Sequence, residues 1–380
     1  MPNTQAILDT PLAPKKTRLQ ELWRLFKQNR LAIIGLFIFL LFFITAVLGL
    51  MFTSGHEPLF NPSLIRLQEK LLPPLSRPDA AILPPEEMPT LGIYLFGTDD
   101  LGRDVFSRML QGAWVSLTVG FVAVGISVIV GIFMGGIAGY FGERHIGYHH
   151  ILAACILFLS GVFLLMGAIR AGLLVLVAGC AWTYFSILVV RKSRSPSGTG
   201  WLFKDAVSVD TLIMRMVDIM LCFPSFFLIL TVVALLPASM YNIMIVIGLT
   251  SWMGTTRFVR AEFLSLREQD FVTAARALGI GNFRVIFRHM MPNAIAPVLV
   301  SSTIGIATAI LTEAGLSFLG FGVPPPHATW GNILSGGKGF IFDAPWLTFI
   351  PGIAILIVVL CFNLFGEGLR DALNPKLRER

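Results

Sequence analysis

Four groups of residues in this 380-residue chain have types and spacings that could do chemistry. The run Gly97-Thr-Asp-Asp-Leu-Gly-Arg-Asp104 places Thr98, Asp99, Asp100 and Asp104 within eight residues, an oxygen-rich set of the kind a hard cation takes. The terminal Glu of a calcium loop is missing. The same acids can cap a following helix and pair with Arg103 and Arg108, so a structural role is the preferred reading. His145 and His149 stand i, i+4 and could share a metal on a helix. No carboxylate or thiol occupies the remaining ligand spacings, so interfacial polar residues account better for these and for His150. Gly336-Gly-Lys-Gly339 faintly resembles a phosphate loop. Asn332 stands at its first glycine and Gly339 at its Ser/Thr, so it reads as an ordinary loop. No G-x-S-x-G or H-E-x-x-H occurs, no carboxylate pair sits inside an apolar run, and mid-span acids and histidines for a proton relay are missing. No catalytic residue and no metal site is expected.

The fourth group is cationic. Arg257, Arg260, Arg267, Arg276, Arg284 and Arg288 fall in one polar island, 257–292, between the apolar runs Ile219–Thr256 and Asn293–Thr312. Short loops dense in arginine stay on the cytoplasmic face, because carrying them across hydrocarbon is costly. Inside the island, Asp270-Phe-Val-Thr-Ala-Ala-Arg-Ala-Leu278 predicts a short helix, opened by an acid and closed by Gly279 as its C-cap. Ala274, Ala275 and Ala277 give that helix a small face, suited to docking into a groove on a soluble partner.

The elements that hold these groups must be membrane spans. With 55% apolar and 13% charged residues and a mean hydropathy of +0.77, the chain cannot be a soluble globule, whose charged share is about 25%. Cys155, Cys180, Cys222 and Cys361 all lie in apolar runs and suggest neither disulfides nor a metal. The net charge of +7 is distributed as membrane topology requires, and nucleic acid is not expected as a partner.

In chain order, residues 1–30 read as a polar tail and a basic amphipathic segment on the membrane surface, with no cleaved signal. Residues 31–142 hold the first two spans, Leu31–Phe52 and Val115–Phe141, around a proline-rich external loop with a few helical turns near Leu64–Leu71. In the second span Gly131, Gly135 and Gly139 recur every fourth residue and form a smooth strip for close helix packing. Residues 143–208 contain two further span-length runs, Ile151–Ile169 and Ala171–Val190, read as an inserted transmembrane hairpin. Residues 209–366 supply four more spans. Pro224 kinks the one at Ile219–Leu236, Pro237 separates it from Tyr241–Thr256, and the last two are Pro292–Thr312 and Trp346–Gly366, with a Gly- and Pro-rich external loop, Glu313–Pro345, between them. Residues 367–380 form a basic tail. Most Lys and Arg then fall on the cytoplasmic side, which favours six core spans plus the inserted pair over any odd number.

Thr273-Ala-Ala-Arg-Ala-Leu-Gly279 followed by His289-Met-Met-Pro292 resembles the "EAA" loop in permease subunits of binding-protein-dependent ABC importers. Thr273 stands where that family has an acid, and Met291 where leucine is usual. The segments Phe96–Arg108, Leu316-Ser-Phe-Leu-Gly-Phe-Gly322 and Trp330-Gly-Asn332 resemble the dipeptide, oligopeptide and nickel permease branch, and the resemblance spans most of the chain except roughly Glu143–Ser208. It implies an all-α integral membrane protein of the type I ABC importer permease fold, with six core helices plus the hairpin, about eight spans. It also implies a bacterial cytoplasmic membrane with both termini inside, and translocation of short peptides or a nickel chelate by alternating access. The implied partners are a second homologous permease subunit, two cytosolic ATP-binding subunits that carry the ATP and magnesium, and an external solute-binding protein; this chain itself holds no cofactor. Asp270, Thr273, Ala274, Ala275, Arg276, Ala277, Gly279 and Pro292 would form the ATPase-coupling element, and Gly97, Asp99, Asp100, Gly102, Arg103 and Asp104 an external motif. The alternatives are a channel or self-sufficient secondary carrier, and a membrane enzyme or scaffold, none of which needs ATPase partners.

Overall fold

The computed structural model describes residues 18–55, 58–81, 83–142, 144–147, 174–184 and 205–373, with isolated positions 152, 156 and 160 between them. Helix α1 (Arg18–Gln28) leads into α2 (Arg30–Thr53), whose start is capped by Asn29: its Oδ1 accepts from Leu31 N at 3.1 Å and Ala32 N at 3.2 Å. Helix α3 runs over Val105–Phe141, followed by strand β1 (His145–Gly147), helix α4 (Leu174–Tyr184), strand β2 (Asp205–Ser208) and helix α5 (Val209–Leu221). Then come α6 (Ser225–Leu235), α7 (Met240–Thr250), α8 (Trp252–Arg267) and α9 (Asp270–Ala277). Helix α10 extends over Asn282–Phe318, α11 over Trp330–Gly337 and α12 over Trp346–Leu373. Helices α2, α3, α10 and α12 are each long and apolar enough to cross a bilayer, and α5 with α6 makes a fifth if that broken pair is one span.

Two compact units divide the chain: Met1–Val130 with Pro224–Thr255 and Asn293–Arg380, and Gly131–Phe223 with Thr256–Pro292. In the first, α2 lies against α12. Asn29 Nδ2 donates to Asp371 Oδ2 at 3.2 Å, and a Cβ on Gly368 would fall 2.0 Å from that of Ala32. Its core gathers Val119, Ile243, Ile247, Ile310, Leu316, Trp330, Leu347 and Val358. Outward, α2 leaves Phe37 and Met51 about two-thirds exposed, an apolar surface that suits lipid rather than water.

Several boundaries differ from the sequence expectation. Helix α3 begins ten residues before Val115, because Asp104 caps it and its polar first turns are buried rather than left in a loop. Pro224 breaks the chain outright: α5 ends at Leu221 and α6 restarts at Ser225. Ser251 interrupts the expected span at Tyr241–Thr256, which divides between α7 and α8. The span at Pro292–Thr312 is the middle of the longer α10, whose first turns wind as a π-helix at Val285–Met290, with Met291 N bonded to Ile286 O just before Pro292, which has no N–H to give.

In the second unit, β1 pairs antiparallel with β2, Ile146 opposite Val207, so the two ends of the expected insertion are joined as a two-stranded ladder. His145 therefore sits in a strand, where a helical i, i+4 pairing with His149 does not apply. Most of the inserted hairpin lies outside the described residues, as do His149, His150, Cys155, residues 1–17 and residues 374–380.

Candidate functional site: a polar clasp and an outward-facing short helix

The acidic run 97–104 is a turn that loads charge onto the start of α3. Gly97 and Gly102 adopt φ of +76° and +72°, and a Cβ on Gly102 would fall 1.8 Å from Arg66 O, so only glycine fits both positions. Asp99 is 2% exposed, and its Oδ1 accepts from the backbone N–H groups of Leu101 and Arg103, both at 2.9 Å. Its Oδ2 takes Arg103 Nε at 2.8 Å and Arg108 Nη1. Asp100 reaches only to 4.0 Å from Arg103. Asp104 caps α3, accepting from Phe106 N and Ser107 N at 3.2 Å each and from Ser107 Oγ. Burial lifts the Asp104 carboxyl above the ordinary carboxylate range, against the pull of those hydrogen bonds and of nearby Arg66. The acids thus spend their oxygens on arginines and on a helix end.

Arg108 carries the connection onward. Its Nη2 donates to Asn332 Oδ1 at 3.3 Å, and that oxygen also accepts from Thr329 N at 3.0 Å while Thr329 Oγ1 accepts from Asn332 N at 3.1 Å, a capping box that starts α11. Trp330, 1% exposed, donates through Nε1 to Met109 O at 3.2 Å, and Ala328 N donates to Gln111 Oε1 at 2.7 Å. The motifs Phe96–Arg108 and Trp330–Asn332, more than 200 residues apart, are therefore one clasp. Gly336 and Gly337 end α11, so the Gly-Gly-Lys-Gly stretch is in part a helix terminus rather than a loop.

One residue of the clasp escaped the sequence reading, which ended a span at Thr312. Helix α10 continues to Phe318, and Glu313 lies in it fully buried, accepting from Ser317 Oγ at 2.6 Å and facing Ser116 Oγ at 3.4 Å, with Thr329 Oγ1 3.4 Å from Ser317. A lone acid followed by Ala-Gly-Leu-Ser, three small or apolar residues before a hydroxyl, was the available signal.

In the second unit, α9 is the helix expected at Asp270–Leu278, with Gly279 closing it at φ +73° and Ile280 N bonding back to Ala275 O at 3.1 Å. Asp270 sits in its first turn, and Thr273 Oγ1 bonds within the helix to Asp270 O at 2.9 Å. Ala275 is buried at 4% with Val272 at 0%, so its small size serves packing within the unit and not an outward face. Ala274, Ala277, Phe271 and Leu278 are exposed, Leu278 to 80%. The Arg276 guanidinium lies 4.7 Å from the Tyr140 ring centre, and Tyr140 Oη donates to Asn282 Oδ1 at 2.7 Å. Pro292 is exposed just beyond the π-turn.

Gly131, Gly135 and Gly139 are all buried. A Cβ on Gly135 would fall 2.6 Å from Thr256 O, and one on Gly139 2.5 Å from Phe263 Cβ, so the strip receives the backbone of α8. Three of the six arginines are spoken for on α8: Arg260 makes a two-pronged pair with Asp210, which raises its pKa, Arg257 Nη2 lies 2.7 Å from Asp218, and Arg267 Nε lies 3.1 Å from Glu268 Oε1.

Residues 199–379 match the family described as binding-protein-dependent transport system inner membrane component, and residues 17–74 match the N-terminal TM domain of oligopeptide transport permease C. The chain is 36% identical to the dipeptide transport system permease protein DppC of Alkalihalophilus pseudofirmus, over 94% of this chain and 90% of that one. It is 34% identical to the protein of the same name in Haemophilus influenzae, over 98% and 99%, and 30% identical to the oligopeptide transport system permease protein OppC of Bacillus subtilis, over 93% and 88%.

Proposed function

Because the chain belongs to the inner-membrane components of binding-protein-dependent transport systems, and within them to the dipeptide and oligopeptide permeases of the C type, we propose that it is one of two permease subunits in an ATP-driven importer of short peptides. Six core spans and an inserted pair at 143–208 would set both termini and the arginine-rich segment in the cytoplasm. A second, homologous permease subunit completes the pathway, an external solute-binding protein delivers the peptide, and two cytosolic subunits bind and hydrolyse ATP with magnesium; this chain hydrolyses nothing itself. The transport named for its relatives favours peptides over a nickel chelate.

The observation that carries the reading is α9. A two-turn helix that buries Val272 and Ala275 on one side and leaves Phe271, Ala274, Ala277 and Leu278 exposed on another has an apolar stripe to spare. Docked in a cleft on one of the two ATPase subunits, it would transmit closure of the ATPase pair to the spans and shift them between inward-open and outward-open arrangements. Thr273 and Arg276 flank the contact, and the clasp of Asp99, Arg108 and Asn332 would hold the external ends of α3 and α11 as one body.

The test is a pair of bulky substitutions. Ala274→Trp, on the exposed side, leaves the protein inserted and folded, releases the co-purifying ATPase subunits and abolishes peptide-stimulated ATP hydrolysis. Ala275→Trp, on the buried side, lowers stability by about 1–3 kcal/mol through overpacking. Thr273→Glu is tolerated. Retention of bound ATPase and of peptide transport in Ala274→Trp would sink the proposal.

A further inference from the structure

The second unit holds an open cavity of about 250 Å³ whose ten lining residues are all apolar or glycine, among them Phe133, Ile137, Phe263, Phe283, Phe287 and Met291. Its walls are the last turns of α3 and the π-wound start of α10, the ends of two helices long enough to span a bilayer, so it lies at the membrane boundary on the arginine-rich side. The opening is greasy: Phe283 is 73% exposed and Phe133 50%, and Phe287 lies tilted against both, with ring centres 4.5 and 5.6 Å away. Its volume falls below the roughly 300–1,000 Å³ of pockets that enclose a whole small molecule, which suits part of a longer chain.

Charge stands beside this wall on the same segment. Arg284 and Arg288 directly follow Phe283 and Phe287, are exposed, and have no carboxylate within ion-pair distance among the described residues, in contrast to Arg257 and Arg260. Arginine stays charged at any physiological pH and forks onto phosphate. An apolar slot whose wall residues Phe283 and Phe287 are each followed by an exposed arginine, four residues apart on the same segment, is complementary to one kind of molecule, an acyl chain ending in an anionic headgroup. We propose that this cavity is a binding site for an anionic phospholipid, with an acyl chain between α3 and α10 and the phosphate on Arg284 and Arg288. The inference does not depend on the transport reading, because it uses only the second unit's own walls and charges.

Native mass spectrometry of the full-length protein, titrated with phosphatidylglycerol or phosphatidylcholine of identical acyl chains, tests it. Two arginines near an anionic headgroup should favour phosphatidylglycerol about 30-fold. In Arg284→Gln/Arg288→Gln that ratio falls to about one while phosphatidylcholine binding persists. Filling the cavity with Ile137→Trp or, more conservatively, Met291→Phe reduces binding of both lipids, and glycerol 3-phosphate, a headgroup without a chain, displaces neither at equal concentration. The proposal is overturned by equal binding of the two lipids in the parent protein, by a ratio that survives loss of both arginines, or by displacement with glycerol 3-phosphate. It is equally overturned if both cavity-filling variants keep their lipid and instead lose ATPase subunits, since the occupant would then be protein.

Discussion

Replacing Asp99 by Asn removes one charge from the clasp and little else. The amide oxygen can still accept from Leu101 N and Arg103 N, but its NH₂ now faces the Arg108 guanidinium, which has lost its only carboxylate among the described residues. Both partners are buried, with side-chain exposures of 4% and 9%, so Arg108 is left charged and dry. Breaking a buried pair from one side typically costs about 3–5 kcal/mol, because the stranded ion keeps its desolvation penalty. Arg103→Gln, which removes the more exposed partner, should cost under about 1 kcal/mol. The double variant Asp99→Asn/Arg108→Met takes away the stranded charge and should recover much of the loss. Cys361, 1% exposed in α12, offers the assay: with Cys155, Cys180 and Cys222 replaced by Ala, a fluorogenic maleimide reacts only as the first unit unfolds. Asp99→Asn should lower the melting temperature by roughly 6 °C or more, taking about 2–4 °C per kcal/mol. A shift no larger than that of Arg103→Gln, or a double variant that melts below Asp99→Asn, would refute the assignment of the stability to this ion pair.

Two further outcomes follow from buried polar groups. Tyr94 is fully buried, and its hydroxyl donates to Glu69; burial first, then this bond, pushes its pKa well above the usual 10. A raised folded-state pKa means the neutral phenol's contribution is complete below pH 10 and is lost as pH rises through the folded value, so one of the five tyrosines should ionise only with alkaline unfolding. In Tyr94→Phe that late absorbance step disappears, and stability at neutral pH falls by about 1–3 kcal/mol because the buried Oε2 of Glu69 loses the phenol, while Oε1 keeps Asp79 N. For Glu313, whose polar neighbours are hydroxyls, Gln keeps an acceptor and the volume and should cost under about 1 kcal/mol, whereas Ala leaves a cavity and orphaned hydroxyls at about 2–5 kcal/mol, both read by the Cys361 melt.

What could be read from the residues was local, and what could not was decided by partners distant in sequence. Hydropathy located α2 and α12 to within a residue at their starts because a span needs only its own apolar side chains. Glu313 was misplaced for the converse reason: a charge looks like the end of a span until Ser116, 197 residues away, supplies a polar lining. The β1–β2 ladder was invisible, since three or four residues pair across the whole insertion with no periodicity of their own. The alanines of α9 show the same division. Their small size was legible, but the helix phase was not, because Val272 with Ala275 and Phe271 with Leu278 form two stripes of comparable apolarity, spaced i, i+3 and i, i+7. Packing within the unit takes the first stripe, which removes Ala275 from the candidate contact surface and leaves the second exposed. A fold that needed only one stripe could carry polar residues at 271 and 278 at no cost to its own core. If α9 docks as proposed, Phe271→Ser and Leu278→Ser should therefore weaken ATPase binding while leaving the stability of the second unit within about 0.5 kcal/mol, as expected for exposed positions.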